Sequence, residues 1–199
     1  FFERNLRYED NQRTLKINNF LLRLRQDKVA TLTFKSPLAE SGHEFKTMKE
    51  LEVEVSDFDA MNNILQALGF YCEQTYEKWR ETLVLNNTQF CLDSMPFGNF
   101  LEIEGHAEDI RKYASRLGLR WSKRILLNYL DIFEILRKKK KLNFTDVTFD
   151  NFKHIKGLIP LGFRQFSSLS LMLLLFVGLP GDYLRYFQAE GIRLSEQTQ

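Results

Sequence analysis

In the run Glu50-Leu51-Glu52-Val53-Glu54-Val55, carboxylates and apolar residues alternate without interruption. Side chains of a strand point alternately to its two faces, so three like charges would share one side. The pattern recurs along the chain. Arg23 and Arg25 align in Leu22-Arg23-Leu24-Arg25, then Thr31, Thr33 and Lys35, then Lys78, Arg80 and Thr82, then Cys91 and Asp93, then Glu102 and Glu104. Taken singly, each is an ordinary solvent face. Six strands in one phase, each carrying one sign of charge, are not, because solvated sheet faces mix signs to avoid like-charge crowding.

The remaining pattern places these runs in a sheet-dominated α+β chain with helical insertions. Strands are expected at Arg13–Ile17, Phe20–Gln26, Ala30–Ser36, Lys46–Ser56, Lys78–Asn86, Thr88–Asp93 and Asn99–Gly105, with turn residues between them. Asn86-Asn87 reads as a tight hairpin turn and Met95-Pro96-Phe97-Gly98-Asn99 as another. Asp57 or Asp59 can cap a helix bearing Met61, Ile64, Leu65 and Leu68, which Gly69 ends. A second helix spans Ala107–Leu117 and stops at Gly118. A third is capped by Ser122 and carries an apolar stripe of Ile125, Tyr129, Ile132, Phe133 and Leu136. The five cations Arg137–Lys141 at its end read as a solvated tail that suits the helix dipole.

The apolar phase of the strands (Leu22, Leu24; Leu51, Val53, Val55; Leu101, Ile103) needs cover, which the three helices can supply from outside. The charged phase then turns inward, where like-signed clusters are costly unless a ligand compensates them. Guanidinium forks suit phosphate oxygens, and carboxylates suit a hard divalent cation such as Mg²⁺ or Mn²⁺. Phosphate and metal in one cavity imply phosphoryl chemistry by electrostatic positioning.

Composition narrows the partners. The 199 residues include 28 Lys+Arg against 26 Asp+Glu, a net charge of +2 that gives no global basic bias toward nucleic acid. Two cysteines, Cys72 and Cys91, make no disulfide framework, and His43, His106 and His154 form no zinc pattern. The sequence starts at Phe1 without Met or signal peptide, which reads as cytoplasmic and N-terminally incomplete. Residues 165–181 carry no charge, but at 17 residues, with Ser167, Ser168 and Ser170 among them, they favour a buried or partner-binding helix over a membrane span. They and the third helix's stripe are adequate for a homodimer contact without demanding one. Residues 1–150 form the expected domain and 151–199 an extension of unassigned role.

The ordered set of motifs resembles the CYTH superfamily of triphosphate tunnel metalloenzymes, which includes class IV adenylyl cyclases and thiamine triphosphatases. The likeness runs from Phe1-Phe2-Glu3 through the Leu-Arg-Leu-Arg strand, Thr31–Lys35, Glu50–Val55, Leu68-Gly69-Phe70 and Glu77–Glu81. Its most specific part is Leu92-Asp93-Ser94-Met95-Pro96-Phe97-Gly98-Asn99-Phe100-Leu101-Glu102-Ile103-Glu104-Gly105, followed by Asn128-Tyr129-Leu130. The resemblance implies an eight-stranded antiparallel β-barrel with helices packed outside. It would bind a triphosphate through Arg23, Arg25, Lys35, Lys78 and Arg80, and Mg²⁺ or Mn²⁺ through Glu50, Glu52, Asp93, Glu102 and Glu104. Glu102, Glu104 and Lys78 are the residues it makes catalytic.

Two departures stand out. The family's N-terminal ExExK strand is absent, so the first strand is expected to be missing, and Met48 occupies a position that is usually Arg. The implied activity is hydrolysis of a nucleotide, thiamine or inorganic triphosphate, or cyclisation of ATP to cyclic AMP. The rival reading is a module that binds polyphosphate or nucleotide without turnover.

Overall fold

A computed structural model of the protein describes residues 1–37 and 48–155. Seven antiparallel strands form one sheet in the order β4-β3-β2-β1-β5-β6-β7. They are β1 Phe2–Asp10, β2 Leu21–Gln26, β3 Ala30–Pro37, β4 Met48–Val55, β5 Phe70–Leu85, β6 Thr88–Met95 and β7 Gly98–Glu104. Eight strands were expected; seven are present among the described residues. The sheet is curled: Glu104 on the β7 edge lies within electrostatic reach of Lys35 on β3 and Glu50 on the β4 edge.

The longest strand organises the rest. The first half of β5, Phe70–Trp79, pairs with β1, and its second half, Trp79–Leu85, pairs with β6. Where β6 is absent, the chain returns after the last long helix and clips onto β5. The Val147 amide donates to the Thr75 carbonyl at 2.8 Å, and the Glu77 amide donates to the Val147 carbonyl at 2.9 Å. These bonds satisfy a stretch of strand that would otherwise leave polar groups unpaired.

Two helices cover the outer face. α2 (Phe58–Ala67) starts at Asp57, whose carboxylate accepts from the Ala60 amide at 2.9 Å, so of the two acids offered by the sequence Asp57 is the cap. It ends at Gly69 with φ +92°, a left-handed turn that suits a residue without a side chain. Leu65 of α2 joins Leu6, Tyr8, Leu22 and Leu24 in one core. α3 (Ala107–Arg116) packs Ile110, Tyr113 and Ala114 on Leu83, Phe90, Leu101 and Ile103 in a second. Each fully buried Leu or Ile here contributes about 1.5–3 kcal/mol of transfer free energy. Leu51 and Val53 on β4, expected to need cover, stay more than half exposed among the described residues.

The third helix departs from expectation in start and side. Ser122 sits in a single 3₁₀ turn, Trp121–Lys123, and the helix proper, α4 (Tyr129–Lys140), begins at Asn128, whose side chain accepts from the Asp131 amide at 3.0 Å. Ile125 reaches the same core from extended chain, so its helical spacing was coincidental. α4 covers Tyr76, Met95 and Phe100. Phe100 lies opposite Asp93 in the β6–β7 ladder, so this is the inner, charge-bearing face, closed at one end by α4.

Two further differences concern the N-terminus. Phe2–Asp10, not expected as a strand, is β1, at the centre of the sheet. Arg13–Ile17, expected as a strand, is instead the short helix α1 (Thr14–Ile17), because the buried Glu9 carboxylate accepts from the Leu15 and Lys16 amides at 3.0 and 2.9 Å and holds the turn. The hairpin turn at Asn86-Asn87 is as expected, with φ of 47° and 63°. Residues 165–181, and all of the C-terminal extension beyond Ile155, lie outside the described residues. Among those described, no helix is long and apolar enough to cross a membrane.

Candidate functional site

Strand register brings the expected site residues onto the concave face. Arg23 faces Thr33 and Arg25 faces Thr31 across β2–β3; Thr33, Lys35 and Thr31 in turn face Glu52, Glu50 and Glu54 on β4. On the other side Arg80 faces Asp93, and Cys91 faces Glu102. β1 joins the two halves by setting Glu3 against Lys78, Asn5 between Arg25 and Tyr76, and Arg7 between Arg23 and Gln74.

Most of these charges are interleaved into ion pairs, where the sequence suggested separate basic and acidic clusters. On one wall, Lys35 Nζ lies 2.8 Å from Glu50 Oε2, and the Thr33 hydroxyl donates to Glu52 Oε2 at 2.8 Å. Arg23 and Arg25 approach Glu52 at 3.8 and 3.7 Å. Burial opposes the Arg23 charge, but Tyr76, Glu3 and Glu50 outweigh it and hold its pKa above the ordinary arginine value.

The other wall centres on Asp93, which is 1% exposed. Its carboxylate accepts from Lys78 Nζ at 2.9 Å, Arg80 Nε at 2.6 Å, Arg80 Nη2 at 2.5 Å and the Tyr129 hydroxyl at 2.5 Å. Burial would raise the Asp93 pKa, but Arg80, Lys78 and Tyr129 together bring it below the usual aspartate value. Asp93 therefore organises two cations and a tyrosine. Lys78 is equally enclosed, 3% exposed, with Glu3 Oε2 at 3.4 Å on its far side. Arg80 Nη2 reaches on to Glu102 Oε2 at 2.6 Å.

Past Arg80, Cys91, Glu102 and Glu104 bring one sulfur and two carboxylate oxygens within 4.8 Å of one another. Burial first, and the neighbouring Glu102 second, push the Glu104 carboxyl above its usual range. The Cys91 thiol is pushed up to about 11 by burial, so it is a neutral wall group at physiological pH. Two crowded carboxylates fit a hard divalent cation; a neutral thiol adds nothing to that fit.

Several inward groups escaped the sequence reading: Asn5, Arg7 and Tyr76, with Glu3 noted only within a motif and Tyr129 only as part of a helix stripe and a motif. Their signal was present, since Glu3, Asn5, Arg7 and Glu9 share an i, i+2 phase around Leu6 and Tyr8. Asn5 matters most. Its side chain is fully buried, yet neither amide atom has a hydrogen-bond partner, and Arg23 Nε lacks one too. By contrast, Arg25 Nε is paired with Asp27 at 3.1 Å, and the Glu3 oxygens face Lys78 and Arg80 at 3.4 and 3.7 Å. Unpaired buried polar groups of this kind mark a place where water or a ligand completes the bonding.

A family model of the CYTH domain matches residues 2–117. The chain belongs to the CYTH domain family. Among solved structures, the PH1819 protein of Pyrococcus horikoshii OT3 is similar at 26% identity over 68% of this chain and 85% of that one, with a TM-score of 0.59. A proposed adenylate cyclase from Vibrio parahaemolyticus is similar at 21% identity over 67% and 80% of the two chains, with a TM-score of 0.53, a likeness of fold. The PH1012 protein of Pyrococcus horikoshii OT3 is similar at 26% identity over 60% and 74%, with a TM-score of 0.50. No curated protein matches the chain. α4 lies beyond the matched CYTH segment, yet its Tyr129 bonds directly to Asp93 within that segment.

Proposed function

We propose that this CYTH protein binds a triphosphate together with Mg²⁺ or Mn²⁺ on its concave face and turns it over. Turnover would be hydrolysis or, with ATP, cyclisation to cyclic AMP. The observation that carries this reading is the buried Asn5 amide and the Arg23 Nε, which lack hydrogen-bond partners beside the partly buried cations Arg23, Arg25 and Lys35. A chain of phosphates supplies many acceptor oxygens, and each charge-assisted bond it receives is about twice as strong as a neutral one.

In this reading Arg23, Arg25 and Lys35 hold phosphates from one wall and Arg80 from the other. Arg80 would exchange part of its hold on Glu102 for the substrate. Lys78, behind Asp93, keeps Asp93 ionised and Arg80 aimed, which makes it a positioning residue. Glu102 and Glu104 would hold the divalent ion directly or through water, with Glu50 and Glu52 completing the acidic side across the cavity. When bound, such an ion supplies Lewis acidity at phosphoryl oxygens and neutralises developing charge. Burial and the neighbouring Glu102 raise the Glu104 pKa, so a cation bound there, which favours the ionised carboxylate, would draw it back down.

Malachite-green phosphate release and cyclic AMP formation would test this across ATP, thiamine triphosphate and tripolyphosphate, with either metal. Metal-dependent turnover of at least one substrate is expected. Binding without turnover of any would favour a non-catalytic phosphate-binding module. Absence of both would refute the reading.

A further inference from the structure

A cavity of about 480 Å³ opens where α4 meets the concave face, within the size range of small-molecule sites. Phe20, Leu21, Met48, Tyr76, Tyr129 and Leu130 give it aromatic and apolar walls. Its charges are three cations, Arg7, Lys16 and Lys35, against one acid, Asp131. The cavity is continuous with the phosphate wall through shared residues. Lys35 lines it and pairs with Glu50, Arg7 lies opposite Arg23 in the β1–β2 ladder, and Tyr76 lines it while supporting the Arg23 charge.

We propose that this cavity is a head-group subsite for a planar, uncharged aromatic group, and that the substrate class is therefore a nucleoside triphosphate. The assignment rests on the triphosphate reading above and adds the identity of the organic end. Phosphates seated on Arg23 leave that end beside Tyr76, Phe20 and Met48. Aromatic walls stack on any base, and Arg or Lys side chains sit favourably over π faces. Inorganic tripolyphosphate would leave the walls wet and unused. Arg7 and Lys35 are paired with Glu73 at 3.8 Å and Glu50 at 2.8 Å, so Lys16 is the cation that disfavours a positively charged head group, such as the thiazolium of thiamine, relative to a neutral base.

The test is calorimetry on the full chain with Mg²⁺, using ATP, thiamine triphosphate and tripolyphosphate as probes. ATP should bind about tenfold or more tighter than tripolyphosphate, the gain expected from stacking one base. Met48→Trp, which fills the cavity, should remove that advantage and leave tripolyphosphate affinity unchanged. Lys16→Glu, at an exposed position on α1 that no core depends on, should raise the ratio of thiamine triphosphate to ATP affinity. Equal binding of all three probes, or an ATP preference indifferent to both variants, would overturn the subsite while leaving the triphosphate reading intact. Failure of every probe to bind would overturn both.

Discussion

Replacing Tyr129 by Phe removes one oxygen and little else. The ring stays packed edge-on against Phe100, with centroids 4.9 Å apart, and stays 5.3 Å from the Lys78 ammonium. What is lost is the hydroxyl's 2.5 Å bond to Asp93. A hydrogen bond to a charged acceptor contributes about 1.5–3 kcal/mol. Asp93 keeps its bonds from Lys78 and Arg80, so the lower end applies, about 1.5 kcal/mol, or a fall in Tm of roughly 3–6 °C for a chain of this size.

The pH dependence separates this loss from a packing defect. The hydroxyl helps hold the Asp93 pKa below the ordinary 3.8, so its contribution is present above that value and lost as pH falls through the depressed folded value. Urea denaturation at pH 7, 5, 4 and 3 should show a constant gap between wild type and Tyr129→Phe at the first three and a gap that begins to close once pH falls below 3.8. No destabilisation at pH 7, or a gap independent of pH, would refute the ion-network account of this helix contact.

Three other outcomes follow. Asn5→Leu should stabilise the unliganded protein by about 1–3 kcal/mol in urea denaturation, by removing an unpaired buried amide, while weakening triphosphate binding measured alongside. Glu104→Gln should raise Tm in metal-free buffer above pH 4.5, the ordinary glutamate value, because wild type loses stability as its raised carboxyl ionises there; below it the two should converge, and the variant should lose the Mg²⁺-induced Tm shift. Gly69→Ala should cost about 1 kcal/mol by chemical denaturation, from strain at φ +92° alone, since nothing lies within 4 Å of the added carbon.

Much of the fold was legible because alternation is a rigid consequence of the pleat. Arg23 and Arg25, Glu102 and Glu104, and Leu22 and Leu24 could be assigned to faces before any contact was seen. β1 escaped notice because Arg4 interrupts its apolar phase and because a bulge between Arg7 and Tyr8 breaks its register with β5. α1 was misread because the carboxylate that builds it, Glu9, belongs to the preceding strand. The start of α4 was misplaced by Ile125, which shares the core from a different backbone conformation. Within the site, sequence separated acids from bases by strand, whereas the ladder sets Asp93 beside Arg80 and Glu50 beside Lys35. Which strands are neighbours is a property of topology, and the pattern along one strand does not contain it.

The concave basic wall is expected to receive phosphate. Calorimetric titration of wild type, Arg23→Ala and Arg80→Ala with tripolyphosphate, with and without Mg²⁺, tests this most directly. Wild type should bind one equivalent, more tightly with Mg²⁺, and each variant should bind roughly tenfold or more weakly, the loss of one charge-assisted contact. Equal affinity in all three proteins would contradict the assignment of these side chains to a phosphate site.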